Sequence, residues 1–236
     1  MGTNKRINPL WFFHIPKTAG RFFYANTIRI IEQEFVINGK QYGELVHGAG
    51  HLSFKPLDNG NILSFSTLRE PVARTISHFQ HLYQNQFVDD IEIEKHKMLN
   101  FLFDNPTKGI INFQTKFSSY SGDEYMINID EHELKDTVDE TDLALAKKRF
   151  ASIDYVFKSD GMNHKITQKS LDIMRKHFDL TATAPYFETT IHKIVNQNSA
   201  KMYEYLTKKE KSMIEDLMKF DMELYNSTNF VDVDKL

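Results

Sequence analysis

Two stretches of this sequence carry the residue types, at the spacings, that hold phosphate-like anions. The first is His14-Ile-Pro-Lys-Thr-Ala-Gly20, which closes an apolar run beginning at Leu10 and leads into a helical pattern. A loop between a buried strand and a helix exposes backbone N–H groups at the positive end of the helix dipole, where an anion gains hydrogen bonds and a favourable field. Lys17 adds a point charge there, and Gly20 lets the backbone approach closely. The pattern G-x-x-x-x-G-K-[ST] is not met, because no glycine precedes Lys17 at the needed spacing. Taken alone, Lys17-Thr18 is equally an ordinary strand-to-helix turn. The second stretch shifts that balance. The strand-like Ile62–Leu68 ends in Arg69-Glu70-Pro71, and Ser77 follows Arg69 by eight residues. A nucleotide hydrolase would carry an acid at such a strand tip to hold Mg²⁺. An arginine instead suits a second phosphate, which it grips bidentately. Ser77, two helical turns on, brings a hydroxyl toward the same anion. Two separate anion holders with no evident set of metal ligands fit a nucleotide with phosphates at both ends. Glu70 keeps a Mg²⁺ role open, and a surface ion pair of Arg69 with Glu70 or a neighbour is the plainer alternative.

A reaction at such a site also needs a base, and imidazole, with an unperturbed pKa of about 6.5, takes a proton at neutral pH. His47 and His51 stand four apart, the spacing of a zinc pair on a helix, but Gly48 and Gly50 disfavour a helix there. His14 reads as structural or as the edge of the loop, and His78 and His81 as exposed or capping positions on the helix after Arg69. Residue type alone does not choose His51 over the others.

Composition narrows the setting. Lys+Arg 29 against Asp+Glu 32 gives a net charge of −3, which argues against broad nucleic-acid or membrane-surface binding but leaves room for a small basic pocket. With no cysteine, disulfides, thiolate catalysis and Cys-based zinc sites are excluded. The 236 residues, 41% hydrophobic and 26% charged, suffice for one α/β domain without staples. Met1–Pro9 has no signal-like apolar stretch, Leu10–Ile15 is too short to span a bilayer, and Arg6 stands where myristoylation favours Ser or Thr. A soluble, cytoplasmic chain is expected, without nucleic acid or stable membrane insertion.

The elements that must position these residues alternate between strand and helix. Leu10–Ile15 reads as a buried parallel strand, and Phe22, Phe23, Ile28, Ile31 and Phe35 mark a helix ending before Asn38-Gly39. Glu44–His47 and Ile62–Leu68 read as strands, and Pro71 opens a helix running to about Gln86 with Val72, Ile76, Phe79 and Tyr83 on one face. Ile91–Phe103 reads as a helix closed by Asn105-Pro106. From Asp123 to Asp142, nine acidic residues against one Lys read as a solvated excursion. Ala144–Phe150 ends a short helix, Ile153–Phe157 is a buried strand, and Met162–Phe178 and Thr207–Tyr225 are amphipathic helices, the latter opened by a Thr207/Glu210 capping box. Phe12, Phe13, Phe22, Phe23, Phe65 and Phe79 are simplest as core. The alternation argues for an α/β fold, a parallel sheet sandwiched between helices.

His14–Gly20 followed by Leu68-Arg-Glu-Pro-Val-Ala-Arg74 and Ser77 resembles the glycan (carbohydrate) sulfotransferases that use 3′-phosphoadenosine 5′-phosphosulfate (PAPS), in particular the branch of heparan and uronyl 2-O-sulfotransferases. Gly50-His-Leu-Ser-Phe54 is similar to the family's Gly-His segment, and Asn112-Phe-Gln-Thr-Lys116 to its Asn-x-Gln-x-Arg block, with Lys for Arg. Ile153–Phe157 and Asp221–Tyr225 resemble its later strand and C-terminal helix, so the likeness spans nearly the whole chain while only the phosphate motifs are specific.

The resemblance implies a P-loop-containing three-layer α/β/α sandwich with a central parallel sheet, in one domain over 1–236. It implies that Lys17, Thr18, Ala19, Gly20, Arg21 and Phe22 hold the 5′-phosphosulfate, from a loop near 14–22. It places the 3′-phosphate on Arg69 and Ser77, in the motif 68–77, and makes Lys17 and His51 catalytic. PAPS is the implied donor and PAP, its desulfated form, the product, with no metal expected. The acceptor is a hydroxyl, on a glycan or glycolipid, met by the segment 87–142. Lys193 falls in a loop that covers the nucleotide in the family, and otherwise reads as a solvated lysine. The sequence departs from the family at Arg21-Phe22, where small hydroxyl residues are usual; N–H contacts survive that change and a hydroxyl contact does not. The lack of a Golgi-type anchor suggests a soluble, bacterial-type member. The alternatives are a P-loop kinase or hydrolase using ATP and Mg²⁺, and a PAP(S)-binding module without turnover.

Overall fold

Leu10-Trp-Phe-Phe13 is apolar at every position because both faces of this strand are covered, and all four residues are buried. In the computed structural model, which describes residues 10–40, 46–47, 54, 62–83, 90–104, 110–120, 137–160, 164–184 and 193–234, this strand, β1 (Leu10–Phe13), lies inside a parallel sheet. β2 (Val46–His47), β3 (Leu63–Leu68) and β4 (Tyr155–Lys158) complete it in the order β2-β1-β3-β4. Phe12 stands opposite Phe65 and Thr67 opposite Phe157.

Side chains alternate across the sheet and feed two cores. On one face Leu10, Phe12, Leu63, Phe65 and Phe157 meet Ile31 and Phe35 of α2 (Arg29–Ile37) and Leu171 and Met174 of α7 (His164–Phe178). On the other, Trp11, Phe13, Leu68 and Val156 meet α5 (Phe113–Ser119), α6 (Glu140–Ala151) and α10 (Lys219–Ser227). The fold is therefore the expected α/β sandwich around a central parallel sheet. A third core joins α3 (Pro71–Leu82) to α4 (Ile91–Asp104), α8 (Lys193–Tyr205) and α9 (Lys208–Leu217) through Val72, Ile76, Phe79, Met98, Met202 and Ile214. All six phenylalanines read as core are buried.

Several boundaries differ from the sequence reading. The first helix comes in three parts: α1 (Gly20–Phe23), a π-helical turn Tyr24–Ile28, and α2. Glu34 on α2 is fully buried, and Arg175 of α7 meets its carboxylate with two bonds of 2.7 and 3.0 Å. The helix from Pro71 stops at Leu82, and 84–89 lie outside the described residues. The acidic run is not all excursion: Asp139 accepts from Thr141 and Asp142 N–H and forms a capping box that starts α6, while 121–136 lie outside the described residues. The single helix expected over Thr207–Tyr225 is two. It opens with the Thr207/Glu210 capping box but breaks at Met218 (φ −96°, ψ 25°), because Asn112 Oδ1 accepts from Phe220 N (3.0 Å) and Asp221 N (3.1 Å) and so caps a new N-terminus. α5 and α8 were not read from the sequence.

Candidate anion site at the carboxyl edge of the sheet

β1, β3 and β4 are parallel, so the loop after Phe13, the Arg69-Glu70 link and the Ser159-Asp160 turn all leave the sheet at one edge, where open α/β sheets hold their ligands. Lys17 (φ 67°) and Ala19 (φ 62°) both take left-handed backbone, which turns the chain sharply into α1. Thr18 ties that turn to the sheet: its hydroxyl donates to Ile15 O (2.7 Å) and pairs with Thr67 Oγ1 on β3 (3.0 Å). Thr18 is fully buried, so its side chain serves the loop's shape. Two arginines reach the loop's carbonyls, Arg74 Nε donating to Pro16 O and Arg69 Nη1 to Lys17 O, each at 3.4 Å. The first helical bond is Phe23 N–H to Ala19 O (3.1 Å), so the N–H groups of Gly20, Arg21 and Phe22 have no partner within the helix.

Gly20 has a nearer reason than phosphate approach. A Cβ placed there would stand 2.0 Å from the His14 ring, which stacks on Phe12 at 5.7 Å between centroids. Gly20→Ala should therefore displace His14 and destabilise the loop, and removing the ring in a His14→Ala/Gly20→Ala double variant should restore part of the loss. Thermal melts of the three variants check this; a double variant no better than Gly20→Ala would show that His14 is not the obstacle.

Four cations crowd this edge. Burial, together with Arg74, Arg21 and Arg69, pulls the Lys17 ammonium down to about 8. Arg21 is exposed yet near enough to contribute to that repulsion. Arg69 is lowered by burial, against the opposing pull of Asp160 and Glu70. Arg74 is wholly buried on α3 and lowered by burial, with Asp221 opposing and Arg69 adding to the shift. Its guanidinium stacks 3.9 Å from the Phe113 ring centroid and donates to Ile110 O (3.3 Å) and His78 Nδ1 (2.8 Å). Cations held this close, with Asp160, Glu70 and Asp221 only partly offsetting their burial, form a site that an anion would relieve.

Of the sequence-predicted residues, Lys17, Thr18, Ala19, Gly20, Arg21, Phe22 and Arg69 meet at this edge. Ser77 is buried one turn beyond Arg74, and among the described residues no hydrogen bond joins it to Lys17 or Arg69. Glu70, the residue left open for Mg²⁺, is the N-cap of α3: its carboxylate accepts from Val72 N (3.1 Å) and Ala73 N (2.7 Å). The salt-bridge alternative for Arg69 is met by Asp160 rather than Glu70, at 3.9 Å. His78, expected exposed or capping, is buried because it accepts from Arg74. His51 lies outside the described residues. Lys193, expected in a loop, is the first residue of α8, and 185–192 lie outside the described residues.

The structure adds partners that residue spacing did not single out. Arg74 is one, and Gln114, Asp160 and Tyr225 are others, through contacts with Arg69 or its neighbours. A cavity of about 380 Å³, lined by Phe79, Tyr83, Glu94, Lys97, Asn100, Phe101 and Asp104, shares no residue with this cluster. Among the described residues no helix is long and apolar enough to cross a membrane.

A model of the sulfotransferase family matches residues 4–227. No curated protein matches the chain.

Proposed function

Because the chain belongs to the sulfotransferase family, we propose that it moves a sulfuryl group from PAPS to a hydroxyl of a glycan or glycolipid. The proposal extends to one domain over 1–236 and to kinship with soluble, bacterial-type members near the heparan and uronyl 2-O-sulfotransferases. The observation that carries it is the group of Lys17, Arg21, Arg69 and Arg74 around a turn whose helix leaves three N–H groups without a partner inside the helix.

PAPS supplies sulfur already activated as a mixed anhydride with its 5′-phosphate. In the proposed in-line transfer the acceptor oxygen bonds to sulfur, the bond from sulfur to the bridging phosphate oxygen breaks, and the electron pair stays on that oxygen. Lys17 stabilises the charge growing there, and the N–H groups of Gly20, Arg21 and Phe22 hold the 5′-phosphate. Thr18 and Ala19 shape the turn. Arg69 and Ser77 hold the 3′-phosphate, which fixes the donor for attack. His51 takes the acceptor's proton; this role rests on the resemblance of Gly50-His51 to the family segment. The segment 87–142 meets the acceptor. Arg21 supplies charge where the family has a hydroxyl, and the engagement of Glu70 as a helix cap weakens the ATP·Mg²⁺ alternative.

Calorimetry without added metal tests the donor. PAP should bind in the micromolar range and weaken at least tenfold in Arg69→Ala, the loss of a charge-assisted bond of about 1.5–3 kcal/mol. Tight metal-dependent ATP binding with no response to PAP would overturn the reading. PAP binding without turnover on any hydroxyl acceptor would favour the non-catalytic module.

A further inference from the structure

Arg69 and Glu70 lie between β3 and α3. Glu70 O accepts the first bond of α3, from Arg74 N (2.9 Å), but Arg69 N, Arg69 O and Glu70 N fall outside the sheet and helix ladders and must find partners elsewhere. Gln114 supplies both for Arg69: its Oε1 accepts from Arg69 N (3.0 Å) and its Nε2 donates to Arg69 O (2.9 Å). Asp160 supplies the next, accepting from Glu70 N at 2.8 Å through Oδ2, while its Oδ1 stands 3.9 Å from Arg69 Nε. That ion pair, with 3.4 Å from Nη1 to Lys17 O, aims the guanidinium from two sides.

Both partners are themselves held by α10. Asn112 is the N-cap residue of α5 by position (φ 50°), but its side chain caps α10. In exchange Asp221 of α10 caps α5, accepting from Gln114 N (3.1 Å), Thr115 N (2.7 Å) and Thr115 Oγ1 (2.8 Å). One turn on, Tyr225 OH donates to Asp160 Oδ2 at 2.8 Å. Burial and Asp160 push the Tyr225 phenol above its ordinary value, so it stays a donor.

We infer that Gln114 and Tyr225 are positioning residues for Arg69, through which α10 sets the preference of the site for a nucleotide bearing a second, 3′-phosphate. The inference rests on the donor reading above. A free arginine side chain loses rotamer freedom when a ligand fixes it, and a guanidinium aimed beforehand has little left to lose on binding. Gln114 fixes where the side chain starts, and Tyr225, through Asp160, fixes where it points.

The test compares PAP with adenosine 5′-monophosphate, which lacks the 3′-phosphate, by calorimetry on wild type, Gln114→Ala and Tyr225→Phe. Tyr225→Phe removes only the hydroxyl and keeps the ring against Phe230, 5.0 Å between centroids, so it carries the test even if Gln114→Ala folds poorly. The expected result is about a tenfold loss of PAP affinity, the worth of one well-made hydrogen bond, with the monophosphate affinity unchanged. Equal weakening of both ligands would overturn the inference, since a packing role would act on both alike. Unchanged PAP affinity in Tyr225→Phe would overturn it as well. A wild type that does not prefer PAP to the monophosphate would overturn the donor reading itself, which the variants alone cannot do.

Discussion

Lys17→Ala should lower the rate constant of PAPS-dependent transfer about 10²–10³-fold, the usual cost of removing one group aimed at charge that develops in a transition state. The fold should survive it. Lys17 stands in a turn held by Thr18, Arg69 and Arg74, and its ammonium is repelled by three arginines, so removing it relieves that repulsion. The pH dependence identifies the group. Lys17 lies at about 8, below the ordinary 10.5, and a bound anion raises it. From about pH 8 up to the raised value, PAP binding should therefore take up a proton, and affinity should fall by up to tenfold per pH unit. Below that window this group adds no pH dependence. Without ligand the sign reverses: from about 8 to 10.5 the unfolded chain holds the Lys17 proton and the folded one has lost it, so stability from this group rises with pH. Calorimetry in two buffers of different ionisation heat, between pH 7.5 and 9.5, reads the uptake. Proton uptake that persists in Lys17→Ala would assign it to another residue.

What the sequence disclosed and what it hid divide along a physical line. The strands were legible because a parallel strand covered on both faces must be apolar throughout, as Leu10–Phe13 is. Pro71 and the Thr207/Glu210 box were legible because helix starts are local chemistry. The turn after β1 and the link after β3 were legible as strand ends, because the apolar runs stop there and Lys17 and Arg69 follow them. The break at Met218 was not: apolar spacing continues from Ile214 through Met218, and the break comes from Asn112, 108 residues from Phe220. The burial of α3 was hidden for the same reason. Val72, Ile76 and Phe79 mark one apolar face, so His78 reads as exposed or capping, yet His78 and Arg74 lie against Pro16, Ile110 and Phe113 and are buried. Thr18 and Glu70 were read for the ligand or its metal, and the structure gives each a nearby backbone partner. Periodicity reports which face is apolar; it does not report which polar residues find distant polar partners.

Asp221→Ala should be the most destabilising of the substitutions considered, by about 3–5 kcal/mol, which for a chain of this size is a fall in Tm of roughly 10 °C or more. Asp221 is buried, and three donors depend on it: the N–H groups of Gln114 and Thr115 and the Thr115 hydroxyl. Alanine leaves all three unsatisfied and uncaps α5. It also removes the acid whose field opposes the cost of burying Arg74. These two losses separate experimentally. Asp221→Asn retains an acceptor oxygen for Thr115 and drops the charge, so its cost measures the field more than the cap. Arg74→Met removes the buried cation that the field serves. If the two charges act as a pair, Asp221→Asn/Arg74→Met should be less destabilised than the sum of the single variants, read from urea unfolding. Strict additivity would mean that Asp221 matters to this fold as a helix cap alone. In that case Arg74 brings its positive field to the loop with little offset from Asp221, which the proposed anion site would use.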